Sequence, residues 1–219
     1  MISGIVALIP LLFAASPPAS PAATPDALLP GAAALIARLA RPAPADTAYA
    51  EVRFVGMLKQ PLVLHGELHY GGPGKLGKRV DRPYQESTTI ADGSVDVQRA
   101  DKPPQRFSLD RAPELQTLLA AFGALLGGDA ATLTKYYQVD ASQAGEDFTL
   151  KLTARAARPG KLNRVVVVVD GRGDEPRCFS LYQPDGDASV MLLGPLATAT
   201  LPDPPTRTAL EKLCHRLTP

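Results

Sequence analysis

The chain has no tryptophan, only six tyrosines and six phenylalanines in 219 residues, and just two cysteines. Large aromatic side chains therefore cannot be the main filling of its interior. Two cysteines also fall well short of a zinc set, and their separation excludes a C-x-x-C redox motif. Nor is there an excess of either charge: Lys+Arg 23 against Asp+Glu 22 leaves a net charge of +1. That balance gives no argument for a nucleic-acid partner, and no acidic or basic tail is present. The longest apolar run, from Ile2 to Ala15, is too short to span a bilayer as a helix of about 20 residues. What is plentiful is proline (22) and glycine (18), in a composition that is 45% hydrophobic and 21% charged with both signs mixed. This is globular rather than disordered, and the length suits one domain.

The first segment concerns destination. From Ile2 to Ala15 only Ser3, Gly4 and Pro10 are not apolar, no charge precedes Asp26, and small residues and prolines follow at once. This reads as a secretory signal over residues 1–22, with Ser20-Pro21-Ala22 as the cleavage zone. The alternative is an uncleaved anchor. With cleavage, the protein is periplasmic, and residues 23–45 form an N-terminal tether and helix ahead of a main unit over 46–219. Export also brings the chain into an oxidising compartment, where Cys178 and Cys214 are expected to pair, the alternative being two small buried hydrophobes that never meet.

Within the tether, Leu28, Leu35, Ile36 and Leu39 stand at helical spacing between Ala27 and Ala40, with Pro30-Gly31 delaying the start. The period then changes from 3.6 to 2. Ala50, Val52 and Phe54 alternate with Glu51 and Arg53, which predicts a strand with the apolar set inward. In the next strand Leu62, Leu64, Gly66, Leu68 and Tyr70 oppose His65, Glu67 and His69. Strands continue over 75–80, 84–90 and 94–98, the last two joined by the hairpin signal Ala91-Asp92-Gly93. A helix from Pro113 to Leu126, capped by Asp110 and ended by Gly127-Gly128, and a short one from Asp129 to Tyr136 interrupt the sheet. Strands resume over 137–141, 148–154, 163–169, 176–183 and 187–193, and Thr208 to Glu211 forms a capping box for a last helix carrying Leu210, Leu213 and Leu217.

The expected fold class is mainly β (α+β): about 9–11 antiparallel strands in an incomplete barrel, with helices lidding the concave face. Few large side chains are available to fill such a concavity, so it is expected to be a hydrophobic binding cavity. Its lining would be Val52, Phe54, Leu62, Leu64, Leu68 and Tyr70 from the early strands, Leu118, Leu119 and Phe122 from the middle helix, and Phe148, Leu150 and Leu152 from a later strand.

Chemistry-bearing patterns are weak by comparison. Gly72 to Lys78 has phosphate-loop spacing, but Arg79 replaces the Ser/Thr and no helix can follow, so it reads as a hairpin connection. His65 and His69 share a strand face about 13 Å apart, too far to grip one metal. His215 has no acid spaced to orient it, and no G-x-S-x-G motif occurs. The protein is therefore read as no enzyme, with no cofactor and no metal. Lys75, Lys78, Arg79 and Arg82 place four cations within eight residues, either a solvated edge that discourages strand aggregation or a contact for anionic headgroups or an acidic partner.

Phe54, Leu58-Lys59-Gln60-Pro61-Leu62, Gly66-Glu67-Leu68-His69-Tyr70, Pro73, the basic strand to Arg79 and Asp92-Gly93 together resemble the LolA-type outer-membrane lipoprotein carriers, and more closely the LolA-related branch that accompanies lipid or aryl-polyene pigment pathways in Gram-negative bacteria. The resemblance implies an unclosed β-barrel lidded by helices. It also implies a monomeric periplasmic carrier or chaperone that binds the acyl or other lipid-like part of a lipoprotein, lipid or pigment cargo, between an inner-membrane exporter and an outer-membrane acceptor. Leu76-Gly77-Lys78 stands where the carriers' usual pattern has Phe-Arg and an aromatic, which favours a lipid-like cargo other than a lipoprotein. The alternative is a non-catalytic envelope module that binds a protein partner.

Overall fold

The structure, a computed structural model, describes residues 30–155 and 165–215. The expected signal over 1–22, the start of the tether and Leu217 lie outside the described residues. Among the described residues, eleven antiparallel strands form one sheet in the order β6-β5-β4-β3-β2-β1-β11-β10-β9-β8-β7. They are β1 (Ala45–Phe54), β2 (Leu62–Gly72), β3 (Lys75–Arg82), β4 (Glu86–Ala91), β5 (Ser94–Arg99), β6 (Lys102–Ser108), β7 (Tyr137–Ala144), β8 (Asp147–Ala154), β9 (Val166–Arg172), β10 (Glu175–Tyr182) and β11 (Ala188–Leu193).

The order records the path of the chain. It runs outward by hairpins from central β1 to the edge strand β6, crosses to the opposite edge, and returns inward from β7 to β11, which pairs with β1. β6 and β7 are the two ends of the sheet and do not pair, so the barrel is unclosed. The crossing is made by a 3₁₀ turn (Leu109–Arg111), α2 (Pro113–Leu126) and α3 (Ala130–Tyr136). α1 (Pro30–Arg38) precedes the sheet and α4 (Arg207–His215) follows it.

Local chemistry explains the element ends. Asp92 (φ 49°) and Gly93 (φ 72°) both adopt left-handed backbone, which a two-residue hairpin between β4 and β5 demands. The Asp129 carboxylate accepts from the Thr132 amide at 2.9 Å and caps α3. Two expected caps are displaced. Asp110 lies in the 3₁₀ turn, where its amide donates to the Ser108 hydroxyl, and α2 starts from Ala112 without a side-chain cap but with Pro113 in its first turn. At α4, the Thr206 hydroxyl rather than Thr208 accepts from the Ala209 amide. β6, to which no strand was assigned from the sequence, carries Pro103 and Pro104 and lies at the sheet edge, where missing donors are tolerated.

Two cores sit on the two faces. On the inner face Leu35, Ile36 and Leu39 from α1 and its end, Leu125 from α2 and Leu133 from α3 pack on Tyr49, Leu64, Leu150, Val167 and Val169. Phe122 meets Phe179 edge to face with ring centres 5.5 Å apart, pinning α2 to β10. On the outer face Ala50, Val52, Val190 and Leu192 pack under Leu210 of α4. There Cys178 and Cys214 are joined in a disulfide across a separation of 36 residues, tying α4 to β10.

Candidate functional site

β1 lies at the centre of the sheet and is covered on both sides, so its two faces are buried together. Tyr49 and Glu51 belong to the inner face and Ala50 and Val52 to the outer one, and all four are buried. The expected orientation of this strand is therefore corrected: Val52 and Phe54 pack with the outer core against α4, and Glu51 and Arg53 point inward.

Inward-facing Glu51 has a side chain only 4% exposed. Its Oε1 accepts from Arg53 Nε at 2.8 Å and from the Ser189 hydroxyl at 2.7 Å. Its Oε2 accepts from Arg53 Nη2 at 3.2 Å and from Lys78 Nζ. Burial by itself would raise the Glu51 pKa, but the Arg53 hydrogen bonds and the charges of Lys78 and Arg53 outweigh it and hold the group at about 2. The Lys78 ammonium is drawn down by burial more than Glu51 draws it up. Lys78 reaches Glu51 across β2, its Nζ 4.9 Å from the centre of the Tyr49 ring. Gly66 on β2 makes room for this crossing. A Cβ there would sit 1.8 Å from the Arg79 carbonyl oxygen and 3.1 Å from the Tyr49 ring. Tyr49 instead lies over β2 and donates its hydroxyl to Arg79 O at 3.1 Å, and burial pushes its pKa upward.

Beside this network opens a pocket of about 300 Å³. Val55, Leu118, Val165, Leu181 and Ala188 make apolar walls, Glu51, Arg53 and Ser189 a polar floor, and Gln183 and Asp187 contribute at the rim. Asp187 accepts from the Gly56 amide at 2.8 Å and so holds the β1–β2 loop beside the pocket. The same loop exposes Met57 (89%) and Leu58 (45%). A volume of this order is at the small end of the roughly 300–1,000 Å³ range of ligand sites, and its mixture of apolar wall and a few convergent polar groups is typical of them.

A smaller pocket of about 180 Å³ lies by Phe148, Asp170, Thr149 and His215. The Thr149 hydroxyl donates to Asp170 Oδ1 at 2.6 Å, while His215 Nε2 is 3.8 Å from the same oxygen, outside hydrogen-bond range. Burial raises the Asp170 pKa, partly offset by the Thr149 bond and by His215. A hydroxyl committed to a carboxylate and a histidine out of reach do not form a nucleophile with its base.

Of the residues expected to line a cavity, Leu118 lines the larger pocket and Phe148 the smaller one. Leu64, Phe148, Leu150 and Leu152 are buried in the inner core, with Leu62, Leu68, Leu118 and Phe122 partly buried against it. Tyr70 is buried and Leu119 half-buried. The basic run does not form one patch. Lys75 and Arg82 are exposed, Arg79 pairs with Glu67 at 2.8 Å and Asp81 at 3.3 Å, and Lys78 turns into the Glu51 network. His69 meets Asp46 at 2.6 Å on the outside of the β1–β2 pair. Sequence reasoning missed Glu51, Arg53 and Ser189. The available signal was an acid and a base two apart on one strand, which always share a face. No helix among the described residues is long and apolar enough to cross a membrane.

A family model described as "Outer membrane lipoprotein carrier protein LolA-like" matches residues 22–217. No curated protein matches the chain. Among solved structures, it is similar to a LolA superfamily protein, NE2245 from Nitrosomonas europaea, with 14% identity, a TM-score of 0.40, and coverage of 81% of this chain and 96% of that one. It is also similar to LprF from Mycobacterium bovis, with 11% identity, a TM-score of 0.37, and coverage of 81% and 99%.

Proposed function

The chain belongs to the LolA-like outer-membrane lipoprotein carrier family, and from that premise we propose that it is a periplasmic carrier that holds the acyl or other lipid-like part of a cargo and passes it toward the outer membrane. Proteins of this family bind and carry lipids or lipoproteins in the periplasm; they are not enzymes. The observation that supports the reading for this chain is the pocket of about 300 Å³ walled by Val55, Leu118, Val165 and Leu181 between the inner face and α2.

Each CH₂ taken from water into such a wall contributes about 0.8 kcal/mol, so part of an acyl chain is held without directional chemistry. Leu62, Leu68, Leu118 and Phe122, only partly buried against the inner core, would part from one another if α2 lifts, enlarging the space and releasing cargo to a competing acceptor. In this reading residues 1–22 are the export signal, 23–45 the tether and first helix, and 46–219 the carrier unit, acting as a monomer between an inner-membrane exporter and an outer-membrane acceptor. The exposed cations Lys75 and Arg82 would then contact headgroups or the partner.

The test combines native mass spectrometry of protein purified from a periplasm with displacement of a fluorescent fatty acid. Co-purified lipid and saturable displacement are expected. Their joint absence, with a stable protein partner in pull-down, would replace the carrier with an interaction module.

A further inference from the structure

The pocket floor holds more donors than Glu51 can accept. Glu51 is surrounded by four donors on two oxygens: Arg53 Nε, Arg53 Nη2, Lys78 Nζ and the Ser189 hydroxyl. Its acceptor capacity is taken up, and Glu86 as well as Glu51 answers the Lys78 charge. Lys78 approaches from the β3 side, where the Tyr49 ring also faces it, and does not line the pocket. Arg53 does line it, its side chain 37% exposed, and its Nη1 donates to no acceptor among the described residues. Asp187, the second acid of the lining, accepts from the Gly56 amide and keeps its charge at the rim, away from the floor.

Around this floor the walls are apolar. A wholly neutral apolar occupant would strip water from the spare Arg53 donors and return nothing for it, whereas an anionic group would replace that water with charge-assisted hydrogen bonds.

We propose that Arg53 forms a headgroup subsite, so that the pocket selects single amphiphiles ending in a carboxylate or phosphate, with the anion on Arg53 and the chain against Leu118, Val165 and Leu181. This rests on the carrier reading and names the class of cargo within it. Glu51, Lys78 and Ser189 act as positioning residues that fix the guanidinium plane by holding its Nε and Nη2 edge, leaving Nη1 to the ligand.

The experiment is a displacement titration on the mature protein at pH 8 with dodecanoate, dodecyl phosphate, methyl dodecanoate and inorganic phosphate. Both anionic amphiphiles should bind about tenfold or more tightly than the ester, the scale of one hydrogen bond to a charged group. Inorganic phosphate alone should displace nothing. Arg53→Gln should remove the preference by weakening the anions and not the ester, and Arg53→Lys should retain part of it. Equal affinity of dodecanoate and its methyl ester in the unaltered protein overturns the subsite while leaving the carrier intact, and this comparison needs no variant to fold. Displacement by inorganic phosphate alone also overturns it, in favour of a plain anion site. Failure of every amphiphile overturns the carrier reading itself.

Discussion

Replacing Glu51 with glutamine removes the one negative charge that Arg53 and Lys78 share while keeping size and some hydrogen bonding. The fall of the Glu51 pKa from an ordinary 4.5 to about 2 in the fold, at about 1.36 kcal/mol for each unit, amounts to about 3 kcal/mol of stability. That matches the lower end of the about 3–5 kcal/mol seen when one partner of a buried pair is deleted. For a domain of this size it means a melting temperature lower by about 6–12 °C in Glu51→Gln at pH 7.

The sign is testable as well as the size. A carboxylate whose pKa is depressed on folding binds fewer protons in the native state. Its contribution is therefore complete above about pH 4.5 and is lost as pH falls toward 2. The assay is urea unfolding of both proteins from pH 7 to pH 2.5, read as the difference between them so that the other acids cancel. The difference should be about 3 kcal/mol at pH 7 and shrink steadily below pH 4.5. Two proteins of equal stability at pH 7, or a difference that does not change with pH, would refute the buried network as described.

Other perturbations probe the remaining arguments. Gly66→Ala should destabilise by about 1–3 kcal/mol or prevent folding, because its Cβ would meet the Arg79 carbonyl at 1.8 Å; an unchanged melting curve would count against the close crossing of Tyr49 and Lys78 over β2. Reducing the Cys178–Cys214 bond, which closes a separation of 36 residues, should cost about 4 kcal/mol by the chain-entropy account, read as a lower denaturant midpoint with dithiothreitol. Asp170→Asn should be at least as stable as the parent at pH 7, because burial raises this acid's pKa and ionisation therefore costs the fold stability as pH rises through it; the advantage should vanish below about pH 3.8. Leu118→Trp should fill the pocket and weaken a fluorescent fatty acid, while Val52→Ala, in the outer core, should lower the melting temperature and leave that affinity unchanged.

Alternation is informative only where one side of a strand is wet. In β2 the outward His65, Glu67 and His69 meet solvent, and Leu64 and Leu68 go to the inner core as the period-2 pattern requires. In β1 the same logic fails because α4 and the disulfide cover the outer face as closely as α1, α2 and α3 cover the inner one. Both faces are then covered, and Glu51 is admitted to the interior beside the partly exposed Arg53 because Lys78, from a strand two places away, and Ser189, from a strand 138 residues later, complete its hydrogen bonds. No local pattern contains that information. The same holds for the basic run at 75–82, where neighbours in sequence alternate between faces and end with different partners.

The sequence by itself determined what short-range chemistry controls: the change of period from helix to strand, the turn at Asp92-Gly93, the bounds of α2, and the family, through a pattern spread over residues 22–217. Tertiary structure alone decided which face of β1 is inner, that Lys78 is an interior cation, and that the pocket has a charged floor. Those outcomes depend on which strands become neighbours once β1 pairs with β11, and the chain settles that only when its two ends meet across the sheet.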